Sequence, residues 1–245
     1  MSTSLHPLLL LSDSALPLGS FAFSSSLESF LAHASHGSNP HLQSHQRAPA
    51  RELVSTFLAY SLLSVSTTVL PFVTAAYNSP DKAAELDDEL DASTLCPVAK
   101  RASVSQGRAL VGVWEKSLVA LCPSIELQAC VKAYKAAFRK PGEAQGHLPV
   151  AWGLICRAAG LGLADVQYIF VLNHAKAVLS AAVRLGAIGP YESQKILAGE
   201  ETRRLLMEAV ERGGRLGTEE VGQTVPAVDL WQGRHELLYS RVFNS

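Results

Sequence analysis

Charge is scarce in this chain. Only 18% of its 245 residues are Asp, Glu, Lys or Arg, and the formal net charge is −1, against a usual charged share of about 25%. No global basic field is available to recruit nucleic acid or an anionic membrane. A surface this poor in charge is a sign that partners cover part of it. Cysteine gives no framework either: Cys96, Cys122, Cys130 and Cys156 are scattered, with no C-x-x-C pair. Reduced, buried thiols and a cytoplasmic location are therefore expected. The N-terminus has no basic region and no small-residue cleavage site, and the apolar run Leu8 to Leu11 is too short for a signal peptide. No G-x-x-x-x-G-K-[ST] loop, G-x-S-x-G elbow, H-E-x-x-H pair or glycine-rich dinucleotide turn occurs. The usual nucleotide, serine-hydrolase, metallopeptidase and nicotinamide readings go with them.

What the sequence does have is helix. Hairpin-type alternation and internal repeats are missing, whereas apolar positions recur at helical spacing throughout. With hydrophobic residues at 48%, the expected fold is all-α, one compact bundle of roughly 9–11 helices over residues 1–245. Helices are expected from Leu5 to Leu11, from Ser24 to Gly37 and from Ala50 to a kink at Pro71, with a short continuation to Tyr77. Further helices are expected to open at Pro80, Pro97, Pro123 and Pro149 and to run over 164–187, 190–212 and 229–240. Gly107 and Gly112 read as small packing positions. Residues 38–49, rich in Ser, His, Gln and Pro, read as a mobile loop. From Leu53 to Pro80 no residue is charged, a length that could span a bilayer. Ser61, Ser64, Thr67, Thr68 and their neighbours recur along it, with no flanking basic cluster, so it reads as a buried core helix.

Candidate functional groups fall in four places. The stretch Leu8 to Glu28 stops an apolar helix at Ser12-Asp13-Ser14, turns through Pro17 and Gly19, and carries Phe21 and Phe23 before the caps at Ser24 to Ser26. It reads as a shaped apolar turn on display. His33, His36, His41 and His45 lie close together with no accompanying carboxylate or thiol, and His147 precedes a helix start. These are weak metal candidates beside the plainer reading of a solvated loop and a structural histidine. Arg184 sits among small and apolar residues, where a cation needs either an internal carboxylate or a place at an interface. The chain ends in a sticky tail, residues 231–245, with His235, Tyr239, Arg241 and Phe243. Such a tail is either docked on its own domain or held by another chain.

Four blocks, in order, resemble the urease accessory protein F family. They are Leu9 to Glu28, similar to "LSDSALPxGxFxFSxxLE"; His147 to Gly153, similar to "HxPVxxG"; Ser180 to Pro190 with Gln194 and Leu197, similar to "SAAVRLGxxGxxxxQxxL"; and His235 to Ser245, similar to "HExLYSRLFxS". Ser20 and Ala22 stand where the family often has Gly and Ser, Ser25-Ser26 replaces a Gly-rich pair, and Val242 replaces Leu. The longer polar stretch from His33 to Pro49 is similar to the eukaryotic, fungal or plant, type. The resemblance implies a non-catalytic homodimer that joins the accessory protein D (or H) to the GTPase accessory protein G. It implies that this assembly docks on apo-urease and passes on Ni²⁺ with GTP hydrolysis, and that no cofactor is bound tightly. It makes Ser12, Asp13, Pro17, Gly19, Phe21, Phe23, Glu28, Arg184, His235, Tyr239, Arg241 and Phe243 the candidate partner-binding residues. Two other classes fit the residues taken alone: a helical enzyme using the histidines and a divalent metal, and a generic helical adaptor.

Overall fold

A computed structural model describes residues 5–36, 49–140 and 142–244. Within them the chain forms α1 (Leu5–Ser12), α2 (Leu27–His36), α3 (Ala50–Thr68), α4 (Leu70–Asn78), α5 (Ala83–Ser93) and α6 (Pro97–Val113). It continues with α7 (Ile125–Ala137), α8 (Leu148–Ala158), α9 (Leu163–Arg184), α10 (Pro190–Ala198), α11 (Glu200–Gly213) and α12 (Pro226–Arg234). No strand occurs among the described residues. The α3–α4 pair forms one kinked span, Ala50–Asn78, and counted so there are eleven helical rods. The fold is all-α, as the sequence predicts. Gly37 and the expected loop up to residue 48 lie outside the described residues.

Helix α8 is the centre. Residues Pro149 to Cys156 and Ala158 are all buried, and α4, α6, α5, α7 and α9 pack around them. The closest approach, to α4, depends on Gly153: a Cβ there would lie 2.2 Å from the Val73 carbonyl oxygen. Gly107 of α6 plays the same part against the loop before α8, where a Cβ would meet the Gly146 oxygen at 2.3 Å. Gly112, expected to pack, has nothing within 4 Å of a Cβ. Gly153→Ala should therefore force α4 and α8 apart and lower stability by about 1–3 kcal/mol. The midpoint of urea unfolding should fall accordingly, and an unchanged midpoint would contradict the close crossing.

The uncharged stretch is a core helix with a break at Val69. Pro71 has no N–H to give to the carbonyl of Thr67, four residues back. The Gly222 N–H fills that place at 3.1 Å. The hydroxyls settle mostly on the helix's own carbonyls, Ser66 on Leu63 (2.7 Å) and Thr68 on Ser64 (2.8 Å). This span and α9 are long and apolar enough to cross a membrane, yet half or more of each apolar window is buried inside the fold. The expected single helix over 190–212 is two helices, separated at Gly199, whose ψ of 148° is extended. The Thr202 hydroxyl takes the Ile196 carbonyl across that break at 2.6 Å. The last helix begins earlier than expected, with Pro226 in its first turn, and ends at Arg234 in a tight turn, His235–Leu237.

Candidate functional site

The N-terminal turn is built by its polar groups. The Ser12 hydroxyl donates to the Leu9 carbonyl at 3.1 Å, and the Asp13 carboxylate accepts the Ala15 N–H at 2.9 Å. Asn173 and Lys176 of α9 donate to the carbonyls of Leu11 and Ser12, so α9 caps the end of α1. Gly19 is left-handed at φ 72°, which the turn requires. Phe21 is 71% exposed, whereas Phe23 is half-buried. Ser25 and Ser26 also have positive φ, 52° and 76°, a conformation that costs a non-glycine residue about 1–2 kcal/mol. That explains why the related pattern carries glycine there, and why α2 starts at Leu27 rather than Ser24. The strain is held in place by the Ser26 hydroxyl, which donates to Gln232 Oε1 of α12 at 2.8 Å.

Glu28 joins this turn to the far end of the chain. Its buried carboxylate accepts His235 Nε2 at 2.8 Å, the Val242 N–H at 2.6 Å and the Phe243 N–H at 3.1 Å. The Asn244 N–H reaches the Ala22 carbonyl at 2.8 Å. Arg184 completes the junction: its guanidinium donates to the Phe21 carbonyl and to Ser180, and its carbon lies 4.9 Å from the centre of the Phe243 ring. It is exposed and has no carboxylate partner among the described residues. The tail is thus docked on its own domain. Glu28, His235 and Phe243 lie beneath the surface, where they shape it instead of being offered directly. Asp13, Pro17, Phe21, Arg184, Tyr239 and Arg241 stand on it, and Leu237 and Val242 join them.

Two neighbouring cavities lie behind the turn, of about 200 and 390 Å³. Phe23, Ser25, Gln106 and His174 line both. The larger is bordered by the hydroxyls of Ser61, Ser64, Thr68, Ser93 and Ser103. His174 meets the Ser61 hydroxyl at 2.6 Å, and burial pushes its pKa down to about 4, so it is neutral at pH 7.

His33 and His147 are occupied inside the chain. His33 Nδ1 bonds the Ser29 carbonyl at 2.6 Å. The His36 side chain, His41 and His45 lie outside the described residues. His147 is buried with both ring nitrogens engaged, Nδ1 with the Ser103 hydroxyl at 3.1 Å and Nε2 with Asp91 at 3.0 Å. Among the described residues no group of three or more His, Cys, Asp or Glu is arranged to hold a metal ion.

Sequence reasoning missed Asp87. Its buried carboxylate accepts the N–H groups of Gln145 (2.5 Å), Gly146 (2.9 Å) and His147 (2.7 Å) and the Tyr134 hydroxyl (2.6 Å). Burial, then the Asp87 charge, raises the Tyr134 pKa well above normal and keeps it a donor. The signal was present: Ala83, Leu86, Asp87 and Leu90 form one helical stripe, and all are buried. An acid inside an apolar stripe needs donors from elsewhere.

The profile of the UreF family matches residues 45–199. The chain belongs to the UreF family. It is similar to an uncharacterized urease accessory protein UreF-like protein of Schizosaccharomyces pombe, with 39% identity over 99% of this chain and 98% of that protein. It is similar to urease accessory protein F of Oryza sativa, with 32% identity over 94% of this chain and 81% of the relative. It is also similar to urease accessory protein F of Arabidopsis thaliana, with 30% identity over 95% of this chain and 89% of the relative. These fungal and plant relatives identify a eukaryotic UreF, a urease accessory protein that works with other urease accessory proteins, and a non-catalytic role fits. For this UreF chain the family profile leaves out both terminal blocks, although the junction at Glu28 and Arg184 is made largely from them.

Proposed function

We propose that the protein is a scaffold in urease maturation, bridging the accessory protein D (or H) and the GTPase accessory protein G. One observation carries this reading. Three blocks far apart in sequence meet at the junction of Arg184 with Phe21 and Phe243, with the side chains of Phe21, Arg184 and Val242 exposed. Aromatic side chains beside arginines, over a rigid base, are what a protein interface anchor consists of. In this reading the protein works in the cytoplasm as a homodimer, holds no tight cofactor, and supports GTP-dependent delivery of Ni²⁺ to apo-urease.

Co-purification tests the scaffold. Tagged chain should retain G and the D or H protein in one complex, with Ni²⁺ and GTP changing its composition. A deletion strain should contain urease subunits without urease activity. Normal urease activity in that strain would overturn the proposal.

A further inference from the structure

The larger cavity, about 390 Å³, is polar without being charged. No lysine or arginine borders it, and the one carboxylate that does, Asp229, already accepts Gln223 Nε2 at 2.9 Å. His174 is neutral and spends one ring nitrogen on Ser61. A phosphate or carboxylate entering this space would meet no countercharge, and taking an unpaired charge out of water is costly. Four polar atoms of the lining are left over. Ser64 is only 6% exposed, and its hydroxyl has no partner among the described residues. The Ser25 hydroxyl has none either. Gln106 spends Nε2 on the Ala102 carbonyl and keeps Oε1, whereas Gln232 spends Oε1 on Ser26 and keeps Nε2. Polar atoms inside a fold are satisfied by protein, water or a ligand. Two hydroxyls that both give and accept, one carbonyl acceptor and one amide donor are a set that ligand hydroxyls satisfy and that a hydrocarbon does not. Phe23 and Phe170 bring two aromatic rings to the same cavity. An apolar wall with a few placed polar groups, at about 300–1,000 Å³, is the usual make-up of a small-molecule pocket.

We propose that this cavity binds an uncharged hydroxylated ring compound, a sugar either free or as the ribose of a nucleoside. Its hydroxyls take the free atoms of Ser25, Ser64, Gln106 and Gln232, and its apolar face lies toward Phe23 and Phe170. The α3 residues Ser61, Ser64 and Thr68, spaced by three and four, set one hydroxyl-bearing wall of the site. No covalent step is involved, and the site uses neither Arg184 nor the exposed tail. The binding is a property of this chain alone, so it stands or falls apart from the scaffold reading.

The test is isothermal titration of the full-length protein with D-glucose and, separately, with adenosine. Saturable binding of glucose identifies a free-sugar site, and binding of adenosine alone a nucleoside site. Glucose 6-phosphate or adenosine monophosphate should bind at least about 10-fold more weakly than its neutral counterpart, since no cation lines the cavity. Ser64→Ala should weaken binding by about 5-fold through loss of one neutral hydrogen bond. Ala99→Phe places a ring in the cavity and should abolish binding in a protein whose circular dichroism is native. Failure of both neutral probes to bind overturns the proposal. So does equal binding of the phosphorylated forms, or native affinity in Ala99→Phe.

Discussion

Asp87→Ala is expected to destabilise this protein by about 3–5 kcal/mol, more than Glu28→Ala or Gly153→Ala. The carboxylate is buried and accepts four donors. Removing it takes the acceptor from the N–H groups of Gln145, Gly146 and His147, the last two buried, and leaves the Tyr134 hydroxyl only the His147 carbonyl at 3.5 Å. Whole domains of this kind are stable by only about 5–15 kcal/mol, so the variant should sit near its unfolding threshold at 37 °C. Urea unfolding should show a much lower midpoint at an unchanged slope, and amide exchange at residues 145–147 should lose its protection first. Asp87→Asn keeps an acceptor oxygen but turns an NH₂ toward backbone donors, so it should fall between. A midpoint matching the native protein in both variants would show that the 138–147 loop is held by something else.

Glu28→Ala comes next, and its effect reaches the surface. The substitution removes the acceptor for His235 Nε2 and for the Val242 and Phe243 amides. His235 is 0% exposed, and its Nδ1 already has no partner among the described residues, so the ring would be buried with nothing bonded to it. We expect a loss of about 3 kcal/mol, since three donors lose their acceptor at once, concentrated in the tail. Limited proteolysis should cut beyond Leu237 in the variant while the α8-centred core stays intact. Co-purification with the partner proteins should fall along with tail protection. A variant with a native cleavage pattern would mean that Phe243 and the Asn244–Ala22 bond hold the tail without Glu28.

The helices were legible because prolines mark their starts. Pro97, Pro149 and Pro190 all stand in first turns, where a missing N–H costs nothing, whereas Pro226 opens its helix three residues ahead of the expected start. Gly199 was not read as a break, since a lone glycine in a charged helical run is tolerated locally; only the backbone and the Thr202 hydroxyl show it. Gly153 could be read as part of a block but not explained until the Val73 carbonyl was seen beside it. Phe21, Arg184 and the tail stood out as unusual, yet their meeting depends on pairs separated by 163 to 215 residues, beyond any local pattern. Asp87 was hidden by its neighbours: Asp88, Glu89 and Asp91 make α5 look like a solvated acidic helix. Ser103 and Asp91 gave no local sign, because His147 reaches them across three elements.

Glu28 also sets a timetable. The chain is made from its N-terminus, and the first helices can form as soon as they emerge. Yet the carboxylate that fixes the N-terminal turn waits for amides at Val242 and Phe243, 214 and 215 residues further along the chain. Until then Glu28 lacks these partners, and the strained pair Ser25-Ser26 lacks Gln232. The face that carries Phe21 and Arg184 is therefore finished only after Phe243 has emerged. A prematurely terminated chain would keep the core helices and lack that face, so truncated products would not compete with whole molecules for the same partners.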